Sequence, residues 1–267
     1  MNKSYGLSIG NANTDAFSCG LFDCVEYCRA ALDTPEAYEL IEDDVSRLSE
    51  LSKEYGVSVR SFHLPFGTTE YFRFIPAALD KNVRKETFEN TKRLTELVAP
   101  LGIKYLIIHA SLRVVPEERQ RRLDCFVEYA KHLCDYVAPL GISVAVETLK
   151  PRCLGNGLFE HLYMQKHVER DNFGICFDSN HLLSEDNIDF LNAAGQYVIS
   201  THFSDFDGVD ERHWFPGRGI NDWKSIVTIL EEKGYAGPYV FEVNFSDTAA
   251  DTEGFKKLIS EWEQLFD

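Results

Sequence analysis

Six apolar stretches of this chain each end on a side chain that can bind a metal or move a proton. His63 closes SFH, His109 follows YLII, Glu147 closes SVAVE, and Asp178 closes GICFD with His181 three residues on. His202 closes VISTH and Glu242 follows YVF. A polar group in an apolar strand is costly without a partner, and a carboxylate behind SVAV is a poor core residue. The repetition therefore points to one shared polar site. Carboxylates gathered there would repel and raise one another's pKa unless a cation neutralised them. A divalent ion does so. Carboxylates with an imidazole suit Mn²⁺, Zn²⁺, Co²⁺ or Mg²⁺ and leave coordination positions for a substrate. No thiolate falls in the pattern, so a closed structural zinc site is not expected. His132, His161 and His167 lie on helical stretches and are read as solvated, and Glu42-Asp43-Asp44 as a charged helix face. The seven cysteines form no CxxC pair and are read as free thiols of a reducing compartment.

Positioning these residues requires a fold that collects strand ends. Short apolar runs at residues 5–9, 24–28, 57–64, 105–109, 143–147, 174–178, 198–203 and 239–243 alternate with longer helical stretches. Several, such as YLIIHA and ISVAVE, are continuously apolar, as parallel strands buried on both faces must be. Thr34-Pro35 predicts a helix start, with Thr34 as N-cap and Pro35 in the first turn. Leu123, Phe126, Val127, Ala130, Leu133, Cys134 and Val137 keep one face of a helix that begins near Pro116. Gly56, Gly102 and Gly141 stand where helix must turn into strand. Only a short helix fits between the first two strands. Eight such units predict a single (β/α)₈ barrel domain over residues 1–267, with all the strand ends on one face. A doubly wound open sheet fits less well. Its glycine-rich turn could only be Gly217-Arg218-Gly219, which comes late and lacks a third glycine.

Composition narrows the partners. The 267 residues are 44% hydrophobic and 26% charged, which is ordinary for a globular chain. Lys plus Arg number 27 against 43 Asp plus Glu, a net charge of −16. Such a surface repels nucleic-acid backbone and anionic membrane unless cations are gathered locally. There is no apolar run long enough to span a bilayer, and the opening MNKSYGLSIG has no long apolar leader core. A cytoplasmic location is expected.

The succession HLPF, IHA, VET, CFDSNH, THFSD, HWFPGRGINDW and FEVN resembles the xylose-isomerase-like barrels over nearly the whole chain. That superfamily includes sugar and sugar-phosphate isomerases and epimerases, inosose dehydratase and endonuclease IV. The resemblance to its epimerase branch implies that Glu147, Asp178, His202 and Glu242 bind one divalent ion, Mn²⁺ or Zn²⁺ before Mg²⁺ or Co²⁺. It implies that His181 contacts substrate oxygens and that His63 and His109 line the pocket; the arginine that some epimerases place in the loop after the seventh strand has no clean match, and His213, Arg212 or Arg218 could stand in for it. The segment Pro216 to Trp223 looks like the isomerase loop PGxGxxDW, whose glycines would bring backbone close to the site. Thr148 stands where sugar isomerases of this kind often carry Asn. Lys150, Arg152 and Arg218 could supply a positive field for a phosphate or carboxylate, or could be solvated.

The chemistry implied is proton transfer beside a carbonyl, through a metal-stabilised enediolate, on a sugar, sugar phosphate or small hydroxy-ketone. Glu147 and Glu242 would exchange the proton, and His181 would orient or protonate an oxygen. The expected partner is a small carbohydrate, not nucleic acid or membrane, with a homo-oligomer left open. Three alternatives stand beside this reading: a dehydratase-like lyase, a sugar-binding barrel without catalysis, and an endonuclease IV-like trinuclear zinc enzyme. For the last, Glu211-Arg212-His213 resembles an Asp-Arg-His ligand segment, with Glu in place of Asp. The −16 charge weighs against it.

Overall fold

In the computed structural model, residues 4–29, 34, 36–69 and 71–267 are described. Eight parallel strands form the barrel: β1 Tyr5–Ile9, β2 Cys24–Cys28, β3 Ser58–His63, β4 Tyr105–Ile108, β5 Ser143–Glu147, β6 Phe173–Asp178, β7 Val198–His202 and β8 Tyr239–Phe241. From β1 to β7 each hydrogen-bonds to the next, and β1 also pairs with β8. Between β7 and β8 the sheet closes through Phe203 N to Val240 O at 2.7 Å and Glu242 N to Phe203 O at 3.2 Å. Eight helices surround it: α1 Thr14–Ser18, α2 Ala37–Tyr55, α3 Lys81–Val98, α4 Arg119–Val137, α5 Leu158–Val168, α6 Asn187–Ala194, α7 Trp223–Glu232 and α8 Thr252–Gln264. α1 is the short helix expected before β2.

The helix signals act as read. Gly56 and Gly141 take φ of 74° and 71°, the left-handed turn that sends the chain into the following strand. The predicted face of α4, from Leu123 to Val137, is buried. One helix start differs. α2 begins at Ala37 behind Glu36, and Thr34 only accepts Ala37 N through its carbonyl at 3.3 Å, so Thr34 is not the side-chain cap. Pro35 lies outside the described residues. The acidic face of α2 is partly structural, since Asp44 accepts from Tyr27 Oη at 2.6 Å and Arg29 Nη1 at 2.7 Å.

Strand alternation explains how an apolar plug and a polar site occupy one barrel. Side chains two apart share a face. Ile107, Ala145 and Cys176 pack together as a small cluster separate from the main core. Two residues further along the same strands stand His109, Glu147 and Asp178. Ile107 and its neighbours thus close the barrel beneath the layer that carries the ionisable groups.

His161 is a correction. It is fully buried rather than solvated, with Nε2 on Gly155 O at 3.0 Å and its ring edge-on to Phe190. The reason is tertiary: the loop after β5 folds back over α5, so a position that reads as exposed helix faces a carbonyl. Burial drives its pKa down to about 4. A histidine whose pKa falls on folding stabilises fully above the unfolded value and loses that contribution as pH drops towards the folded value. We expect His161 to cost roughly 3 kcal/mol of stability between about pH 6.5 and pH 4. Urea titrations of His161→Gln at both pH values check this: the variant should lose less on acidification than the wild type.

Candidate metal centre at the barrel mouth

Ladder register brings the strand ends level. Asp178 of β6 lies opposite His202 of β7, and Glu147 of β5 opposite Cys176. His109 and Glu242 stand one residue past β4 and β8, where the ladders have stopped. One ligand atom each from Glu147, Asp178, His202 and Glu242 lies within 4.8 Å of all the others. His202 Nδ1 is 3.4 Å from both Glu147 Oε1 and Glu242 Oε2. Asp178 Oδ2 and His202 Nδ1 are buried without a hydrogen-bond partner. Atoms about 2.0–2.2 Å from one ion stand no more than about 4.4 Å apart, so a small closing movement suits this quartet to a divalent cation.

Charge in the quartet is unbalanced as it stands. Burial, with Glu147 and Glu242 alongside, pushes Asp178 up to about 7. Burial would raise Glu147 as well, but His109, His202 and His181 outweigh it and hold that carboxyl well below its usual range. Burial opposes charge on His202 and His181, yet their acidic neighbours hold both imidazoles well above the usual histidine value. The same acidic surroundings that favour positive charge on these imidazoles would favour a bound cation.

Around the quartet, His63 Nε2 and His109 Nε2 both meet Glu147 Oε2, at 2.9 and 2.8 Å. His181 Nδ1 donates to Thr148 O at 3.0 Å, and its Nε2 faces Glu211 Oε2 at 3.2 Å. His213 stands against Glu242, with Nδ1 on Glu242 O at 3.1 Å. Two further groups of ligand atoms within 4.8 Å result: His63 with His109 and Glu147, and His181 with Glu211 and His213. All of these except Asp178 and His202 line a cavity of about 400 Å³, walled on one side by Phe66, Leu112, Leu149 and Cys153. Phe66 stacks on His109 with centroids 4.3 Å apart.

Two expectations fail here. Arg218 is turned away from the cavity. Its guanidinium grips Glu261 at 2.7 and 2.8 Å and Asp247 at 3.0 Å, and lies over Phe215. Three acceptors outcompete a site that already presents its own imidazoles. The loop from Pro216 to Trp223 does not line the cavity either. Its glycines serve Asp205, a buried carboxylate that accepts from Gly217 N at 2.8 Å, Asn221 N at 3.2 Å and Trp223 Nε1 at 3.0 Å. A Cβ on Gly219 would overlap Phe206 O and Asp205 Oδ1. Gly219→Ala is expected to lose about 2 kcal/mol or more, read as a lower urea midpoint at unchanged slope.

One buried carboxylate was not singled out from the sequence. Glu26 of β2 is fully buried and backs the site, with Oε1 2.8 Å from His202 Nε2 and Oε2 accepting from Ser61 Oγ at 2.7 Å. Its signal was available, a carboxylate inside CVEYC. Thr148 ties β5 to β6, accepting Asp178 N at 2.8 Å and donating to Asp178 O at 3.2 Å. Lys150 is engaged by Glu211.

The fold and the convergent strand ends define a (β/α)₈ barrel with a candidate metal centre on its carboxyl face. The chain belongs to the xylose isomerase-like TIM barrel family, whose family model matches residues 14–263. It is 27% identical over 169 residues to inosose isomerase of Bacillus licheniformis, covering 59% of this chain and 60% of that protein. It is 22% identical over 167 residues to fructoselysine 3-epimerase of Escherichia coli O157:H7, covering 59% of each. The chain thus spans about 60% of the length of these curated relatives. A D-tagatose 3-epimerase-like protein superposes with TM-score 0.78 at 20% identity, covering 98% of this chain and 97% of the other. The IolI protein with a bound zinc atom superposes with TM-score 0.76 at 20% identity over 97% of each. No helix among the described residues of this chain is long and apolar enough to cross a membrane.

Proposed function

We propose that this protein is a divalent-metal-dependent isomerase or epimerase that moves a proton beside the carbonyl of a sugar or small hydroxy-ketone. The observation that carries the proposal is the quartet itself, in which the buried Asp178 Oδ2 and His202 Nδ1 make no hydrogen bond and face only charged neighbours, His181 Nδ1 at 3.1 Å from the first and Glu147 and Glu242 at 3.4 Å from the second. Glu147, Asp178, His202 and Glu242 would hold the ion, and the zinc in the IolI structure supports a divalent metal for this architecture. The ion supplies Lewis-acid stabilisation of charge developing on substrate oxygens.

The two glutamates differ in freedom. Glu147 is fully buried with both oxygens facing imidazoles, so it stays ionised and fixed. Glu242 keeps a quarter of its side chain exposed in the cavity and is the carboxylate with room to take a proton from carbon. An epimer would need a proton delivered to the opposite face through Glu147, supplied to that carboxylate by an imidazole on its oxygens while Glu242 gives up the proton it took to solvent, and return from Glu242 to the adjacent carbon would give the aldose–ketose change. Thr148 O fixes the ring of His181, whose Nε2 faces Glu211 on the cavity wall and would orient a substrate oxygen by exchanging that partner. Phe66, Leu112 and Leu149 keep water from one wall.

A second reading is favoured by one observation. The groups His63–His109–Glu147 and His181–Glu211–His213 flank the quartet and would complete a three-metal set suited to phosphoester hydrolysis. The −16 charge opposes a DNA substrate. Metal analysis of the purified protein, with deuterium uptake from D₂O across a panel of ketoses and aldoses, tests the proposal. One equivalent of metal with carbon-bound deuterium is the expected result. Three equivalents with nicking of DNA at an abasic site, and no deuterium uptake, would replace it with the second reading.

A further inference from the structure

The loops after β4 and β5 are tied together beside the site. Ser111 and Leu154 pair as an antiparallel bridge, and Val114 N donates to Arg152 O at 2.7 Å. Arg152 takes φ 77° there, left-handed backbone that a residue with a side chain rarely adopts. The tie brings Arg113 and Arg152 to the wall of one cavity of about 450 Å³, completed by Val114, Val115, Pro116 and Arg119. Arg113 also lines the site cavity, so one guanidinium borders both spaces.

Other cations around the mouth are neutralised. Lys150 is held by Glu211, Arg212 by Asp207, Arg218 by Glu261, and Arg119 by Glu160. Among the described residues, Arg113 and Arg152 are exposed and stand in no ion pair. In a chain with 43 acidic and 27 basic side chains, two unpaired guanidinium groups lining one cavity are a local concentration of positive charge. Their planar forks match the oxygens of a phosphate. The site cavity has room for a sugar, and the second cavity shares Arg113 with it as a lining residue.

We infer that Arg113 and Arg152 form an anion subsite for the phosphate of the substrate, so that the substrate class is a phosphorylated sugar. The carbohydrate part rests on the isomerase or epimerase reading, while the anion-binding part stands on the arginine-lined cavity alone. Two measurements on the metal-loaded protein separate them. Calorimetric titration with inorganic phosphate should give at least tenfold weaker binding for Arg113→Ala/Arg152→Ala than for wild type, with single Arg113→Gln between. Equal affinity in all three proteins would overturn the subsite. Deuterium uptake by D-fructose 6-phosphate and D-fructose should favour the phosphate ester at least tenfold in kcat/KM, and the double variant should lose that preference through KM. A preference that survives the double variant also overturns the subsite. No exchange with any sugar or ester would sink the isomerase reading, and the phosphate titration would still decide the subsite.

Discussion

Glu242→Gln should abolish proton exchange, with deuterium uptake falling by at least about 10³ while the far-ultraviolet spectrum and the unfolding midpoint of the metal-free protein stay close to those of metal-free wild type. Glutamine keeps the size of the side chain and removes its capacity to take a proton. Glu242 borders the cavity, so the core does not depend on its charge. Glu147→Gln should silence exchange to a similar degree, with a second consequence. His63 and His109 both meet Glu147 Oε2, and one amide oxygen cannot replace a carboxylate between two imidazoles. This variant should also be less stable, by the ~1–3 kcal/mol that follows from leaving a buried polar group poorly paired. Wild-type exchange in either variant would refute the two-carboxylate scheme.

Stripping the metal carries the other large effect. With a chelator, activity should vanish and return with Mn²⁺ or Zn²⁺. The melting temperature should fall with it. An ion present at about a thousand times its Kd stabilises the folded state by about 4 kcal/mol, or roughly 10 °C for a domain of this size. The stripped protein should remain folded, because the plug of Ile107, Ala145 and Cys176 and the helix-facing core hold the barrel without help from the site. Undiminished exchange after complete removal of divalent ions would end the metal reading.

Much of this architecture was legible because parallel strands buried on both faces leave continuous apolar runs, and because Gly56, Gly102 and Gly141 mark where helix gives way to strand. The strand ends β3 to β8 were readable for the same reason: an ionisable residue closing or following an apolar run stands out. Glu26 carried a similar signal in CVEYC, but it lies in mid-strand and has a partner, His202, that is 176 positions away in the chain. His161 and Arg218 went astray for a related cause. Helical spacing says which face a side chain occupies, and only the neighbouring loop says whether that face meets water, a carbonyl or a carboxylate.

By itself the sequence determined the eight-fold β/α alternation, the closure it requires, and the residue types delivered to the carboxyl face. Period and propensity are local properties that short stretches of chain record directly. Only the tertiary structure decided which of those residues share a centre. It gathered Glu147, Asp178, His202 and Glu242 within 4.8 Å and set His63, His109, His181 and His213 around them. It also sent Arg218 to Glu261 and left Arg113 and Arg152 unpaired on one wall. These are choices among partners far apart in the chain. They are settled by strand register and loop packing, where a shift of one residue would turn every side chain to the other face of its strand.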